Sequence, residues 1–432
     1  MTALRALYSA ALFLARPLLR RKLARRGRQE PGYLQAVEER FGRYGSASEP
    51  GFVWVHAVSL GETRAAAVLV EALRAEWQSR GRPFRLLLTH GTATGREEGQ
   101  RLLQAGDVQV WQPWDDLGSV RRFLSHFRPA LGLLMETEVW PNLVAEARRA
   151  GVPLALVNAR LSERSLASAW RLRALSRPAY RAFGAVWAQT GADAQRLERL
   201  GAPVQGVLGN LKFDARPDPA QVSQGAAWAA GLRARDGRGV VLLASSREGE
   251  EAALLARLQA SPGLLAAARW LIVPRHPQRF DAVSDLVEAA GLRVGRRSQW
   301  RDDGPADADV WVGDSLGEMP MYYGLAALAL LGGSFEPLGG QNLIEAAACG
   351  CPMLVGPHTF NFAEAAEQAI GAGAAWRSPG LDEALQQALQ WLAAPEALAV
   401  AAEAGLRFAG AHRGAAANTA RAAADLLERA ER

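Results

Sequence analysis

"LALLGGSFEPLGGQNLIEAAACGCPMLVG", Leu328 to Gly356, reads as an apolar strand, a loop with two glycine pairs, an alanine-rich helix and a second apolar strand. Strands that alternate with helices in this way build parallel, doubly wound α/β sheets. The same stretch poses a question of function. Glu345 is the one charged residue among Asn342, Leu343, Ile344 and three alanines at the helix start. Either Asn342 caps the helix and Glu345 closes an N-x-x-E box, or Glu345 faces a ligand.

Working outward, the pattern repeats along most of the chain. Candidate strands in the first half are 52–57, 84–89, 108–112, 130–135, 153–158 and 185–190; in the second half they are 239–245, 270–274, 309–313, 328–333 and 352–356. Helical patterning fills the intervals, as in Thr63 to Arg74 and Glu250 to Leu258. Two such series predict two α/β domains. "KFDARPDPAQ", Lys212 to Gln221, is polar, carries Pro217 and Pro219 and lacks periodicity, so the boundary is placed there. The expected divisions are a membrane-associated segment 1–28, a first domain 29–211, a hinge 212–222, a second domain 223–410 and a closing helix 411–432 that can cross back onto the first domain. Open α/β sheets bind ligands beyond the carboxyl ends of their strands, so two facing sheets place the site in a cleft between them.

The chain has 432 residues, of which 49% are apolar, enough for real cores and against global disorder. Cys349 and Cys351 are too few for a disulfide framework and read as small core residues of a reduced protein. No Cys/His cluster has zinc spacing. A formal charge of +6 points to an anionic partner.

"ALYSAALFLARPLLRRKLARRGR", Ala6 to Arg28, is an apolar stretch followed by a basic run. The uninterrupted apolar part is short of the about 20 residues that span a bilayer. Its charge follows the apolar part, the reverse of a cleavable signal peptide. It reads as a helix in the membrane interface with arginines on anionic headgroups. The plainer reading is an amphipathic helix packed on its own domain.

Polar residues that follow strands are the site candidates. Ser59 and Glu62 after 52–57 form an S-x-x-E capping box, and Ser315 and Glu318 after 309–313 repeat it. Glu62 suits a general base at a cleft mouth, with His56 as a rival. Glu136 and Glu138 follow 130–135 and project to the same side if the chain stays extended. Arg275, between Pro274 and His276-Pro277 in a stiff turn, suits a phosphate clamp, as opposed to a surface salt bridge. The glycines before Asn342 offer amides to a second anion site. Lys212 lies beside the hinge. The loop "THGTATGRE", 89–97, offers amides to an acceptor phosphate.

Together these stretches resemble the 3-deoxy-D-manno-octulosonic acid (Kdo) transferases of Gram-negative bacteria. The matching segments are "RFGRYG", "HAVSLGET", "METEVWPNL", "NARLSERS", "GNLKFD", "PRHPQRF", "GDSLGEM", "GGSFEPLGGQNLIEAA" and "GPHTFNF", in family order from about residue 40 to 362. The N-terminal apolar and basic segment is similar to the family's membrane anchor.

The resemblance implies a GT-B fold of two Rossmann-like domains, the acceptor domain first and the nucleotide-sugar domain second. It implies transfer of Kdo, with inversion, from CMP-Kdo to a hydroxyl of a phosphorylated lipid A precursor in lipopolysaccharide synthesis, at the cytoplasmic side of the cell inner membrane. In that reading Glu62 is the base, and Glu136 and Lys212 support the transition state. Pro274, Arg275, Leu316, Gly317, Glu318, Asn342, Leu343, Ile344 and Glu345 line the CMP-sugar site. CMP-Kdo is a substrate, so no cofactor is expected; neither is a metal or a nucleic-acid partner. Many members carry a basic residue or histidine just before the asparagine of the glycine loop, where this chain has Gln341. Two alternatives stand beside this reading. One is a GT-B enzyme or epimerase that takes a UDP-sugar; the other is a non-catalytic, membrane-peripheral protein that binds anionic lipid or RNA.

Overall fold

The computed structural model describes residues 3–45, 47–302 and 304–432. The chain forms two units, Met1–Asp214 with Arg413–Arg432, and Ala215–His412.

The first unit holds seven strands: β1 Val53–His56, β2 Leu86–His90, β3 Val108–Trp111, β4 Leu131–Met135, β5 Leu154–Ala159, β6 Ala185–Ala188 and β7 Val204–Val207. They lie in the order β3-β2-β1-β4-β5-β6-β7, every pair parallel. The chain starts in the middle, runs out through β2 and β3, then returns to β4 on the other side of β1. That reversal opens a crevice at the carboxyl ends of β1 and β4, where α/β sheets take ligands.

Successive side chains of a strand point to opposite faces, and β1 shows it. Trp54 packs with Phe123, Leu134 and Leu156 on one face, whereas Val53 and Val55 pack with Leu69, Leu73 and Trp77 on the other. Trp77, Leu69 and Leu73 belong to the helix Leu60–Ser79, and the closing helix Ala415–Glu431 covers the same face with Ala416, Ala420, Ala423 and Leu427. Asp214 fixes where that closing helix begins, because its carboxylate accepts the amides of Gly414 and Ala416, each at 2.5 Å. Arg80 then holds the far end through Glu428 and Asp425, each at 2.7 Å.

The N-terminal helices Ala3–Leu14 and Arg16–Gly27 also belong to this unit. Tyr8 donates to Asp115 at 3.0 Å, Ser9 bonds Asn142, Arg5 pairs with Glu146 at 2.8 Å and Arg16 with Asp116. Polar ties therefore seat the segment 1–28 on its own unit, yet Leu7, Phe13, Leu14 and Leu18 stay more than half exposed. Among the described residues, no helix is long and apolar enough to cross a membrane.

The second unit holds β8 Gly239–Ser246, β9 Ala268–Pro274, β10 Val294–Arg296, β11 Val310–Val312, β12 Leu328–Leu331, β13 Met353–Val355 and β14 Ala375–Arg377. The order is β10-β11-β9-β8-β12-β13-β14, again all parallel. Its reversal lies between β8 and β12, so the glycine-rich loop after β12 stands at the crevice. Cys349 and Cys351 are free thiols, and burial raises the pKa of both, to about 12 at Cys349.

All eleven expected strands are present, with ends that differ by at most two residues. The three that were not expected, β7, β10 and β14, are edge strands. None of "VQGV", "VGR" and "AWR" is buried on both faces, so they lack the apolar run that marks a covered strand. Between the units, Leu211–Asp214 is a 3-10 turn of the first and Pro219–Asp236 a helix of the second. The connection is therefore only Ala215 to Asp218, shorter than the expected hinge 212–222.

Candidate active site

In the first unit the chain leaves β1 into a tight turn and the helix Leu60–Ser79. The Ser59 side chain accepts the Glu62 amide, and the Glu62 carboxylate accepts the Val58 amide at 2.9 Å and the Ser59 hydroxyl at 3.2 Å. This is the capping box the spacing predicts. Burial raises the pKa of Glu62 most; the Val58 amide lowers it, and the charges of Glu136 and Glu138 raise it further. A carboxyl poised above its ordinary value is what a general base near neutral pH requires.

The loop 89–97 braces this turn. The amides of Gly91 and Thr92 both donate to the Val58 carbonyl, and the Gly95 amide is taken by the Thr92 hydroxyl. Those amides are spent on the fold, so the expected acceptor-phosphate cradle is not formed by them.

Glu136 and Glu138 do not continue β4 as an extended pair. Glu136 has φ 56°, a left-handed turn that ends the extended backbone at β4. Glu136 is 4% exposed and lies between two cations, Arg160 Nε at 2.8 Å and Lys212 Nζ at 3.6 Å. Glu138 accepts from Trp140 Nε1 at 2.8 Å and stands 3.8 Å from His56 Nε2. The rival base His56 is 1% exposed, with Nδ1 on Thr89, which removes it from reach of a substrate.

Lys212 owes its place to two asparagines. Asn158, at φ 50° in β5, accepts the Leu211 amide at 3.1 Å, and Asn210 accepts the Lys212 amide at 3.0 Å. Arg160, Asn158 and Asn210 were not singled out from the sequence. Their signal was present in "NARLSERS" and "GNLKFD", where each stands two residues from a group at the site or carries the charge itself.

In the second unit Glu250 and Glu251, 2% and 0% exposed, tie the strand-end loops together. Glu250 accepts the amides of Gly333 at 2.7 Å, Arg247 at 2.9 Å and Phe335 at 3.2 Å. Glu251 accepts the Ser246 hydroxyl at 2.8 Å and Arg279 at 3.1 Å. Ser246 in turn accepts the Arg275 amide at 3.0 Å through its carbonyl. The loops after β8, β9 and β12 are thus anchored on the first turn of one helix, Glu250–Ala260. Burial raises the pKa of both carboxyls, which the bonded amides and the Ser246 hydroxyl oppose.

Above this anchor stand the expected donor-side residues. Pro274 ends β9 and is buried, while Arg275 is exposed at the crevice. Gly339 and Gly340, at φ 93° and 78°, turn the loop through conformations open mainly to glycine. Asn342 then caps the helix Leu343–Ala348 by accepting the Ile344 amide at 3.2 Å, with half-buried Glu345 in its first turn. The second S-x-x-E is not a capping box. Ser315 bonds Tyr322 at 2.6 Å, Glu318 pairs with Arg297 at 2.8 Å, and the helix starts only at Met319. Leu316 is 70% exposed and Gly317 has φ 81°, so this stretch is an open loop. No group of His, Cys, Asp or Glu suited to a metal ion occurs among the described residues.

Comparison with known proteins follows this geometry. The family described as "3-Deoxy-D-manno-octulosonic-acid transferase (kdotransferase)" matches residues 35–215. The 3-deoxy-D-manno-octulosonic acid transferase of Bordetella pertussis is 47% identical over 98% of this chain and 99% of its own length. That of Haemophilus influenzae is 30% identical over 89% of this chain and 90% of its own. Among solved structures, a glycosyltransferase from Rickettsia africae covers 88% of this chain and 99% of its own with a TM-score of 0.56 at 11% identity, a likeness of fold. Two seven-stranded parallel sheets in series, each with its crevice at a chain reversal, are the Rossmann-like halves of a GT-B enzyme. With near full-length identity to named members, this chain belongs to the 3-deoxy-D-manno-octulosonic acid transferase family and is a glycosyltransferase.

Proposed function

We propose that the protein moves Kdo, with inversion, from CMP-Kdo to a hydroxyl of a phosphorylated lipid A precursor in lipopolysaccharide synthesis. The observation that carries this reading is Glu62, a half-buried carboxyl of raised pKa in the β1–β4 crevice. Glu62 takes the proton of the attacking hydroxyl. Kdo is a keto sugar, so its anomeric carbon can bear positive character as CMP departs. Glu136 and Lys212, locked together in the first unit, support that transition state. In the second unit Pro274, Arg275, Leu316 to Glu318 and Asn342 to Glu345 hold the CMP-sugar, with Arg275 on the departing phosphate. No metal takes part.

The acceptor is a membrane lipid, and the reaction takes place at the cytoplasmic face of the inner membrane. The exposed Leu7, Phe13, Leu14 and Leu18 and the basic run after them support this placement. The test is incubation of purified enzyme with CMP-Kdo and a tetra-acylated disaccharide bisphosphate, in the presence of EDTA, with product masses read out. A gain of Kdo on the lipid is expected. Turnover of UDP-hexoses in place of CMP-Kdo refutes the donor assignment.

A further inference from the structure

The loop that follows β11, Asp314 to Glu318, carries two acids and no base. Two adjacent arginines at the end of β10 neutralise them. Arg296 Nε reaches Asp314 at 2.8 Å, and Ser298 adds its amide at 2.8 Å and its hydroxyl at 2.7 Å. Arg297 pairs with Glu318 at 2.8 Å, the two side chains 20% and 28% exposed. The Arg297 guanidinium is itself held by two buried tryptophans. It lies 5.6 Å from the Trp228 ring and 5.5 Å from the Trp300 ring, and the two rings meet edge to face with centroids 5.8 Å apart.

The loop backbone has other ties. Trp228 sits on the helix Pro219–Asp236, which packs backbone to backbone against Met319–Leu325, the helix that Glu318 opens. A Cβ at Gly225 would run into the Met321 carbonyl, and one at Gly324 into the Val222 carbonyl. Gln221, on the same long helix, donates to the Gly317 carbonyl at 3.2 Å. With the backbone fixed by these contacts, what Arg297 adds is charge and aim on one carboxylate.

We propose that Arg297 is a positioning residue for the donor: it masks and directs the Glu318 carboxylate, so that an acid can line a crevice that receives an anion. CMP-Kdo carries a phosphate and the carboxylate of its sugar acid, and an unpaired Glu318 repels both. This inference rests on the donor site proposed above for the second unit.

The test is isothermal titration of the full chain with CMP, beside a thermal melt. Arg297→Met lowers the CMP affinity by roughly tenfold, and the loss shrinks as added salt screens the unpaired charge. Glu318→Gln in the Arg297→Met chain restores most of that loss, because no unpaired anion is left. Arg297→Lys keeps the charge and binds CMP within about threefold of wild type. An Arg297→Met chain that binds CMP as the wild type does overturns the inference, whatever its melting temperature. So does a double variant that binds no better than Arg297→Met, since an arginine of purely structural use is not rescued by removing its partner. A wild-type chain that binds no CMP refutes the donor reading and this inference together; a wild-type chain that binds CMP, with variants that do not differ from it, refutes this inference alone.

Discussion

Glu62 accepts the amide of Val58, four residues before it, at 2.9 Å, so the carboxylate is fixed by the turn that delivers it to the crevice. An amide oxygen can accept that same bond but cannot take a proton from a hydroxyl. Glu62→Gln therefore lowers kcat by about 10²- to 10⁴-fold, with near-normal KM for both substrates. The cost in stability is about 1 kcal/mol or less, the range of a weakened cap. Steady-state kinetics beside a thermal melt separate the two effects.

As the proposed base, the same carboxyl is expected to set the pH dependence. Its pKa is raised above the ordinary 4.5, by burial first and then, against the Val58 amide, by the charges of Glu136 and Glu138. Protonation disables a base, so kcat/KM falls as pH drops through that raised value. Glu138→Gln removes one of the negative charges, which makes Glu62 easier to ionise. The acid limb of the profile then moves to lower pH, and a shift in the other direction contradicts the arrangement.

Glu136 keeps one cation after Arg160→Met or Lys212→Met, but none of these two after both changes. A carboxylate 4% exposed is costly to leave unpaired. The single variants are expected to lose little stability and the double variant about 3–5 kcal/mol, a non-additivity that denaturant titration reveals. Lys212→Met also lowers kcat with little change in KM.

Glu250 holds three loop amides and is 2% exposed, so it is a positioning residue for the proposed donor side. Glu250→Gln presents an NH2 group to amides that need an acceptor. The expected result is a KM for CMP-Kdo raised about tenfold, kcat and acceptor KM retained, and about 1–2 kcal/mol lost in stability. Glu345→Ala, by contrast, weakens donor binding without a comparable drop in melting temperature. Isothermal titration with CMP distinguishes the two variants.

Asp115 anchors the N-terminal helix through Tyr8, and burial pushes its pKa up to about 7, against the bonds from the Asn142 and Leu143 amides and Tyr8. Its folded value lies above its ordinary 3.8, so the folded state holds the proton more tightly than the unfolded state. That contribution is full at low pH and is lost as pH rises through about 7. The stability of Asp115→Asn relative to wild type therefore grows between pH 4 and pH 8, by a few kcal/mol at about 1.4 kcal/mol per pKa unit. A flat difference across that range excludes a buried, protonated Asp115.

The sequence disclosed the interior better than the margins. Eleven strands were legible because a strand covered on both faces must be apolar throughout, as "LGLLM" of β4 is. β7, β10 and β14 escaped because an edge strand with a half-exposed face tolerates Gln205, Arg296 or Trp376. Glu62 was legible because its cap is local, three residues from Ser59. Glu136 between Arg160 and Lys212 was only partly so, since a left-handed turn and a pairing across 76 residues leave no periodic trace. Glu318 shows the opposite failure. A correct local spacing was overridden when Arg297, on a neighbouring loop, claimed the carboxylate.

The closing helix adds a consequence for how the protein is made. The chain passes from the first unit to the second at Asp214 and returns at Arg413. Ala416, Ala420, Ala423 and Leu427 complete the face already begun by Val53, Leu69 and Trp77. During synthesis the ribosome delivers Leu60–Ser79 long before its partner. The first unit therefore waits, with that apolar face uncovered, while the whole of Ala215–His412 emerges and folds. A first unit with that face covered cannot be obtained by stopping translation at the boundary; it exists only once the tail has been made.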